Sequence, residues 1–172
     1  MSSSERFLLA RAAGAIAVLA ATAMLAGCGF HLRGDVKYAF SSAYINAAAA
    51  SPIAGELKRT LEAGGTKITA KAADAEVVID VSLVVDDKSV LSLSGSGRVA
   101  EYALTKRVTI AVHDATGHDW MPAGEVVVRR SYSFNESEVL ARESQEARLL
   151  KEMQTDAVEQ IVRRLQLAKK PE

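Results

Sequence analysis

The amino-acid sequence predicts an α+β two-layer sandwich, with two helices packed on one face of a mostly antiparallel (mixed) sheet of about four strands. Three observations predict it. Residues 76–86, 101–112 and 125–134 each alternate apolar and polar side chains with a period of two, as half-buried strands do. A stretch from Pro52 to Gly64 and another from Leu150 to Leu165 repeat apolar residues every three or four positions, as amphipathic helices do. The alternating segments are consecutive and joined by turn-forming residues, which makes an antiparallel meander with one covered face.

The elements follow in order. Arg6 and Arg11 precede an uncharged run, Ala12 to Gly27, that ends in small residues. Positive charge ahead of a short apolar run reads as a secretory signal over residues 1–27 and not as a spanning helix. Leu25-Ala26-Gly27-Cys28 resembles the bacterial lipobox, whose chemistry needs small residues beside the cut and a thiol as lipid acceptor. Cys28 is the only cysteine, so an intramolecular disulfide is excluded. The alternative is an uncleaved apolar N-terminus with a buried free thiol. Several acyl chains on Cys28 would anchor the chain stably where one would not. Gly29 stands where lipoproteins retained in the inner membrane usually carry Asp, which points to the outer membrane.

Residues 28–43 lack a clear period and read as a lipidated tether, leaving 44–172 as a single domain. Tyr44 to Ala47 is a short strand. Ser51 is an N-cap followed by Pro52 at the first helical position, Ile53, Leu57 and Leu61 form one stripe, and Gly64-Gly65 ends the helix. After a weak strand at Lys67 to Ala70 come the three alternating strands. Val77, Ile79, Val81, Leu83 and Val85 share one face; so do Tyr102, Leu104, Val108, Ile110 and Val112, and then Val126, Val128, Tyr132 and Phe134. Asp114 to Gly117 and Pro122 to Gly124 mark a long connection between the second and third. Asn135 with Glu138 resembles a capping box ahead of the last helix, whose stripe is Leu150, Met153, Ala157, Ile161 and Leu165.

Composition narrows the function. Of 172 residues, 49% are hydrophobic and 24% charged, and 21 basic side chains balance 21 acidic ones. Disorder needs lower hydrophobicity and electrostatic nucleic-acid binding needs a basic excess, so both are excluded. Traces of catalysis are missing. His113 and His118 flank a turn without a third ligand at metal spacing, so loop solvation is the expectation. Gly95-Ser96-Gly97 leads into a strand and not into a helix N-terminus. Asp86-Asp87 and Glu136 to Glu138 read as solvated or capping acids. We expect no enzyme, no cofactor and no metal. Two residues suggest ligand chemistry: Arg98, beside the small polar stretch Ser92 to Gly97, and Arg142, near the start of the last helix. A guanidinium suits phosphate because its planar fork donates two hydrogen bonds at once. Taken on chemistry alone, both also read as ordinary surface arginines.

Several segments together resemble one family. Leu25-Ala26-Gly27-Cys28-Gly29-Phe30-His31-Leu32-Arg33-Gly34 is similar to the junction of the lipopolysaccharide-assembly lipoprotein family LptE. Gly97-Arg98-Val99-Ala100-Glu101-Tyr102 resembles that family's glycine-x-x-Ala-Glu-Tyr segment, and Arg130 to Phe134 with Leu150 to Met153 resembles its C-terminal half. The resemblance implies a lipoprotein of the cell outer membrane, lipid-anchored on the periplasmic side. It implies that the chain plugs the lumen of the LptD β-barrel, helps assemble it, and binds lipopolysaccharide for delivery to the outer leaflet. Arg98 and Arg142 would then meet lipid A phosphates. Two alternatives stand beside it: an accessory subunit of another outer-membrane machine, and a lipid-anchored cell-wall hydrolase.

Overall fold

The computed structural model describes residues 38–134 and 139–171, with backbone only for 139–143. The elements are β1 (Ser42–Ala47), α1 (Pro52–Ala63), β2 (Lys67–Ile68), a 3-10 turn (Ala72–Asp74), β3 (Val77–Leu93), β4 (Val99–His113), β5 (Asp119–Ser133) and α2 (Val139–Leu165). The strands form one mixed sheet in the order β2-β1-β3-β4-β5. Both helices pack on one of its faces and against each other. The expected α+β sandwich is found, with five strands where about four were expected; the fifth is the two-residue β2 at the edge.

Local chemistry explains the first half. Parallel strands need a crossover, and α1 supplies it between β1 and β2, which pair in parallel, as do β1 and β3. Ser51 caps α1 by accepting from the Ala54 amide at 3.4 Å, and Pro52 follows it. Ile53, Leu57 and Leu61 are buried on one stripe. The helix stops at Gly64, and Gly65 turns the chain with φ +86°, a region glycine enters without cost. β1 starts at Ser42, two residues before its expected start, and Phe40 is buried against the edge of Trp120. The signal segment and Cys28 lie outside the described residues.

The meander carries the core. Val77, Ile79 and Val81 of β3, Leu104, Val108, Ile110 and Val112 of β4, and Val126, Val128 and Tyr132 of β5 are buried under Met153, Ala157, Ile161 and Leu165 of α2. The strand faces of β4 and β5 and the α2 stripe are as expected, with Leu150 half-buried at the upper end of the stripe.

Three expectations change. Leu83 is exposed and does not join the face of Val77 to Val81, because a bulge between Val81 and Val84 breaks the alternation. β3 continues seven residues past its expected end at Asp86, to Leu93. Pro122 to Gly124 lies inside β5 and is no part of the connection: β5 sets three residues against two of β4 between Ile110↔Gly124 and Val112↔Met121. A bulge on an edge strand is where proline is tolerated, since the lost N–H costs no ladder hydrogen bond. The expected cap of α2, Asn135 with Glu138, lies outside the described residues.

Candidate functional site

Of the sequence-derived site residues, Arg98 lies on the turn at one end of the domain, Arg142 lies near the start of α2, and Cys28 lies outside the described residues. β3 and β4 join in a tight turn, Ser94 to Arg98, closed by Ser94 N–H to Arg98 O (2.7 Å) and Gly97 N–H to Ser94 O (2.9 Å). The Arg98 amide donates to Ser94 Oγ at 3.2 Å, and Gly97 has φ +77°. Ser92 and Leu93 are therefore strand, and the stretch read as flexible is a defined hairpin turn with Arg98 exposed on it. Gly95 and Gly97 have no heavy atom within 4 Å of where a Cβ would sit, so a side chain at either position would meet nothing among the described residues.

Arg142 lies in α2, four residues before Glu146; its side chain falls outside the described atoms. Glu146 fixes that part of the helix to the sheet. Its Oε2 accepts from Lys88 Nζ of β3 at 2.5 Å and from Tyr132 Oη of β5 at 2.6 Å. The Lys88 ammonium also sits over the Tyr102 ring, 4.5 Å from its centroid, and 5.6 Å from that of Tyr132. Hydrogen bonding from Lys88, then from Tyr132, holds the Glu146 carboxyl below its usual range. The same bond to Glu146 raises Lys88, while burial is the main cause that raises Tyr132. Farther along, Arg130 of β5 pairs with Asp156 of α2. The two arginines thus belong to two elements clamped together by Lys88, Tyr132 and Glu146. Sequence reading missed this clamp, although Lys88 lies on the β3 face toward the helices and Glu146 precedes Leu150 by one turn.

The remaining candidates resolve into structural roles. Lys106 is buried on the helix face and paired with Asp86 at 2.5 Å, so Asp86 is no free acid. His113 is not a solvated loop residue: it ends β4, with Nδ1 2.7 Å from the Asp114 carbonyl and Nε2 3.1 Å from Asp80 Oδ2. His118 stays exposed, bonded to Thr116 at 2.8 Å. The Asp114 carboxylate accepts from Thr116 Oγ1 and from the Thr116 and His118 amides, which lowers its pKa and fixes the turn. A hollow of about 470 Å³ on the sheet face away from the helices is lined by Tyr44, Asn46, Val78 and His113 among others. Asp80 beside it is bonded to Asn46 (2.6 Å) as well as His113, so this acid serves the sheet and not a reaction. Among the described residues no three His, Cys, Asp or Glu side chains group as metal ligands, and no helix is long and apolar enough to cross a membrane.

Comparison with known proteins gives the domain a family. The family model described as LptE, lipopolysaccharide-assembly, matches residues 37–165. The LPS-assembly lipoprotein LptE of Photorhabdus laumondii is 27% identical over 153 residues, 84% of this chain and 80% of that one. The solution structure of an uncharacterized lipoprotein B from Nitrosomonas europaea has a TM-score of 0.71 at 35% identity, covering 80% of this chain and 90% of that one. The crystal structure of rare lipoprotein B from Shewanella oneidensis has a TM-score of 0.64 at 25% identity, covering 72% and 92%. A minor lipoprotein from Acinetobacter baumannii, at 22% identity and a TM-score of 0.65 over 79% and 99%, shares the fold. The chain belongs to the LptE family of lipopolysaccharide-assembly lipoproteins.

Proposed function

We propose that this lipopolysaccharide-assembly lipoprotein is anchored in the outer membrane through acylated Cys28, plugs the lumen of the LptD barrel, assists the barrel's assembly and binds lipopolysaccharide through Arg98 and Arg142. In this reading residues 1–27 are removed, the segment after Cys28 is the tether, shorter than the expected 28–43 because Phe40 and Ala43 are part of the core, and the folded domain acts without catalysing a reaction. The observation that carries it is polarity along the long axis. The chain enters at the end where Phe40 meets Trp120, and Arg98 stands on the hairpin turn at the other, beside the start of α2. β3 has 17 residues, so about 50 Å separates the two ends. A described chain that begins at one end and a phosphate-matching guanidinium on the turn at the other suit a protein that reaches away from its point of attachment. The sheet face away from the helices is polar, with pairs such as Arg107 with Glu125 and Asp80 with His113, and fits a hydrated lumen.

Capture of the full-length protein from detergent-solubilised membranes tests the partner: LptD should be the major protein recovered, and recovery of a different barrel would sink the reading. Intact mass tests the anchor, since mature protein lacking added lipid would remove Cys28 from it. For the ligand, Arg98→Glu combined with Arg142→Glu should weaken lipopolysaccharide binding severalfold or more and reduce its salt dependence, because charge-assisted contacts contribute about 1.5 to 3 kcal/mol each. Arg163→Glu, on the outer face of α2, is the control and should leave affinity unchanged. A folded double variant that binds as tightly as the parent would return both arginines to ordinary solvated charges.

A further inference from the structure

The end of the domain where the described chain begins also carries its most exposed large apolar side chain. Tyr38 stacks on Phe40 with ring centroids 5.2 Å apart, Phe40 meets the edge of Trp120, and the Trp120 carbonyl accepts from the Lys169 amide at 3.2 Å. The turn after α2 is thereby tied to the entry of the chain. Ala168 is buried there, whereas Leu167 is 77% exposed, more than any other large apolar side chain among the described residues. Leu167 lines a shallow hollow with Gln160, Arg163 and Arg164. Residues 160–171 contain four cations and no acid. Arg163 is paired with Glu159 at 3.5 Å. Arg164 lies over Gly124 of β5, with Nη1 3.1 Å from where a Cβ would sit, and among the described residues no carboxylate bridges Arg164, Lys169 or Lys170. Other acids of this end are engaged: Glu76 accepts from the Ser41 amide and hydroxyl, and Asp114 from its own turn. Cations in a last helical turn meet the negative end of the helix dipole, which accounts for Arg163 and Arg164. It does not account for Lys169 and Lys170, which lie past the helix, or for Leu167.

Basic side chains around an exposed leucine match an anionic bilayer surface, where the cations meet lipid phosphates and the apolar side chain enters the headgroup layer. Cys28 stands ten residues before Tyr38, so acyl chains on it would keep this end within about 35 Å of lipid. We propose that Arg164, Leu167, Lys169 and Lys170 dock this end of the domain on the anionic phospholipid headgroups of the leaflet that holds the acyl chains of Cys28. The docking rests on the anchor proposed above and adds an orientation to it: the entry end lies against the leaflet, and the turn that carries Arg98 points away from it.

The test uses the mature lipidated protein reconstituted into phosphatidylcholine vesicles with or without phosphatidylglycerol, each carrying a nitroxide on the lipid headgroup. Trp120 is the only tryptophan and sits at this end, so quenching of its fluorescence reads the approach to the headgroups. Quenching should be stronger with phosphatidylglycerol and fall to the phosphatidylcholine level in about 1 M salt, where the Debye length is about 3 Å. Leu167→Ser combined with Lys169→Glu and Lys170→Glu should lose the phosphatidylglycerol increment. Its thermal unfolding should be unchanged, since these side chains are exposed and the Lys169 amide is kept. Arg148→Glu with Lys151→Glu, exposed on α2 about 25 Å away, should keep the increment. If the protein does not float with phosphatidylcholine vesicles, the anchor reading fails and the docking falls with it. If it floats and quenching is the same with and without phosphatidylglycerol, or the folded triple variant keeps the increment, the docking is wrong while the anchor stands. Equal loss in the Arg148 and Lys151 variant would make the increment a matter of net charge and overturn the docking face as well.

Discussion

The base and the arm of β3 are one continuous strand with opposite fates. From Val77 to Val81 the strand lies between β1 and β4 and beneath the helices, and Val77, Ile79 and Val81 are core residues. From Ser82 to Leu93 β4 is its only neighbour among the described strands, and Leu83, Val84, Val90, Leu91 and Leu93 are exposed. The residue types hardly change across the boundary. What changes is the company: β1 ends at Ala47, opposite Val81, and the chain turns away into α1. An apolar side chain on a strand is buried only where another layer or strand covers it, so the length of β1 decides which valines and leucines of β3 make core and which make surface.

The largest test of that contrast is a charge placed in each half. Ile79→Asp at the base, or Ile161→Asp on the helix above, should unfold the domain, because both side chains are fully buried. An unpaired buried carboxylate costs several kcal/mol against a total stability of about 5 to 15 kcal/mol. Leu91→Asp on the arm should shift stability by no more than about 0.5 kcal/mol, as surface substitutions do. Urea unfolding of the three variants checks it. A cooperative transition retained at the parent midpoint by Ile79→Asp would mean that the base of β3 is not core.

The same contrast explains what could be read in advance. α1 was legible because its signals are local: Ser51, Pro52, Gly64 and Gly65 punctuate a stripe of Ile53, Leu57 and Leu61. The inward faces of β4 and β5 were legible because alternation persists across most of each strand. The arm of β3 was not. Its bulges at 82–83 and near 91 reset the alternation, and its exposure depends on where β1 stops, which is a fact of pairing and not of composition. At the candidate site, the glycines before Arg98 were legible as leading into a strand. The Lys88, Tyr132 and Glu146 clamp joins residues far apart in sequence, as do Asp86 and Lys106, and no local spacing announces them.

That clamp gives the second test, smaller and confined to the arm. Glu146→Ala removes the acceptor shared by β3 and β5 and should cost about 1 kcal/mol, because Lys88 is largely open to solvent and the pair is screened. The loss should appear as faster hydrogen exchange of α2 near residues 144–150, with the segment around Met153 to Ile161 still protected. The pH dependence has a definite sign. Glu146 is lowered, so its contribution is complete above the ordinary carboxyl pKa of 4.5 and disappears as pH falls through the folded value. Lys88 is raised above 10.5, so its contribution is lost only in strong alkali. The arm should therefore loosen in acid and stay constant around neutrality. Glu146→Gln should remove that acid sensitivity, and an unchanged acid profile in this variant would assign it to another carboxyl group.

The smallest effect belongs to the base and runs in the opposite direction. His113 and Asp80 join β4 to β3, and Asp80 passes the connection to Asn46 of β1. The bond from His113 to the Asp114 carbonyl is the main cause that raises the imidazole pKa, burial opposes it, and Asp80 and then Asp119 add attraction. A raised basic group stabilises the fold fully below its unfolded value of 6.5 and loses that contribution as pH rises through the folded value. Half-exposed pairs of this kind contribute less than about 1 kcal/mol, so the slope is shallow. Thermal unfolding of the parent should therefore decline slightly above pH 6.5, where the arm is insensitive. The informative quantity is the difference between the parent and His113→Gln. That difference should shrink as pH rises. If it stays constant across the range, His113 is bonded as a neutral imidazole at every pH measured, and the base of the sheet is held by its ladder and its core alone.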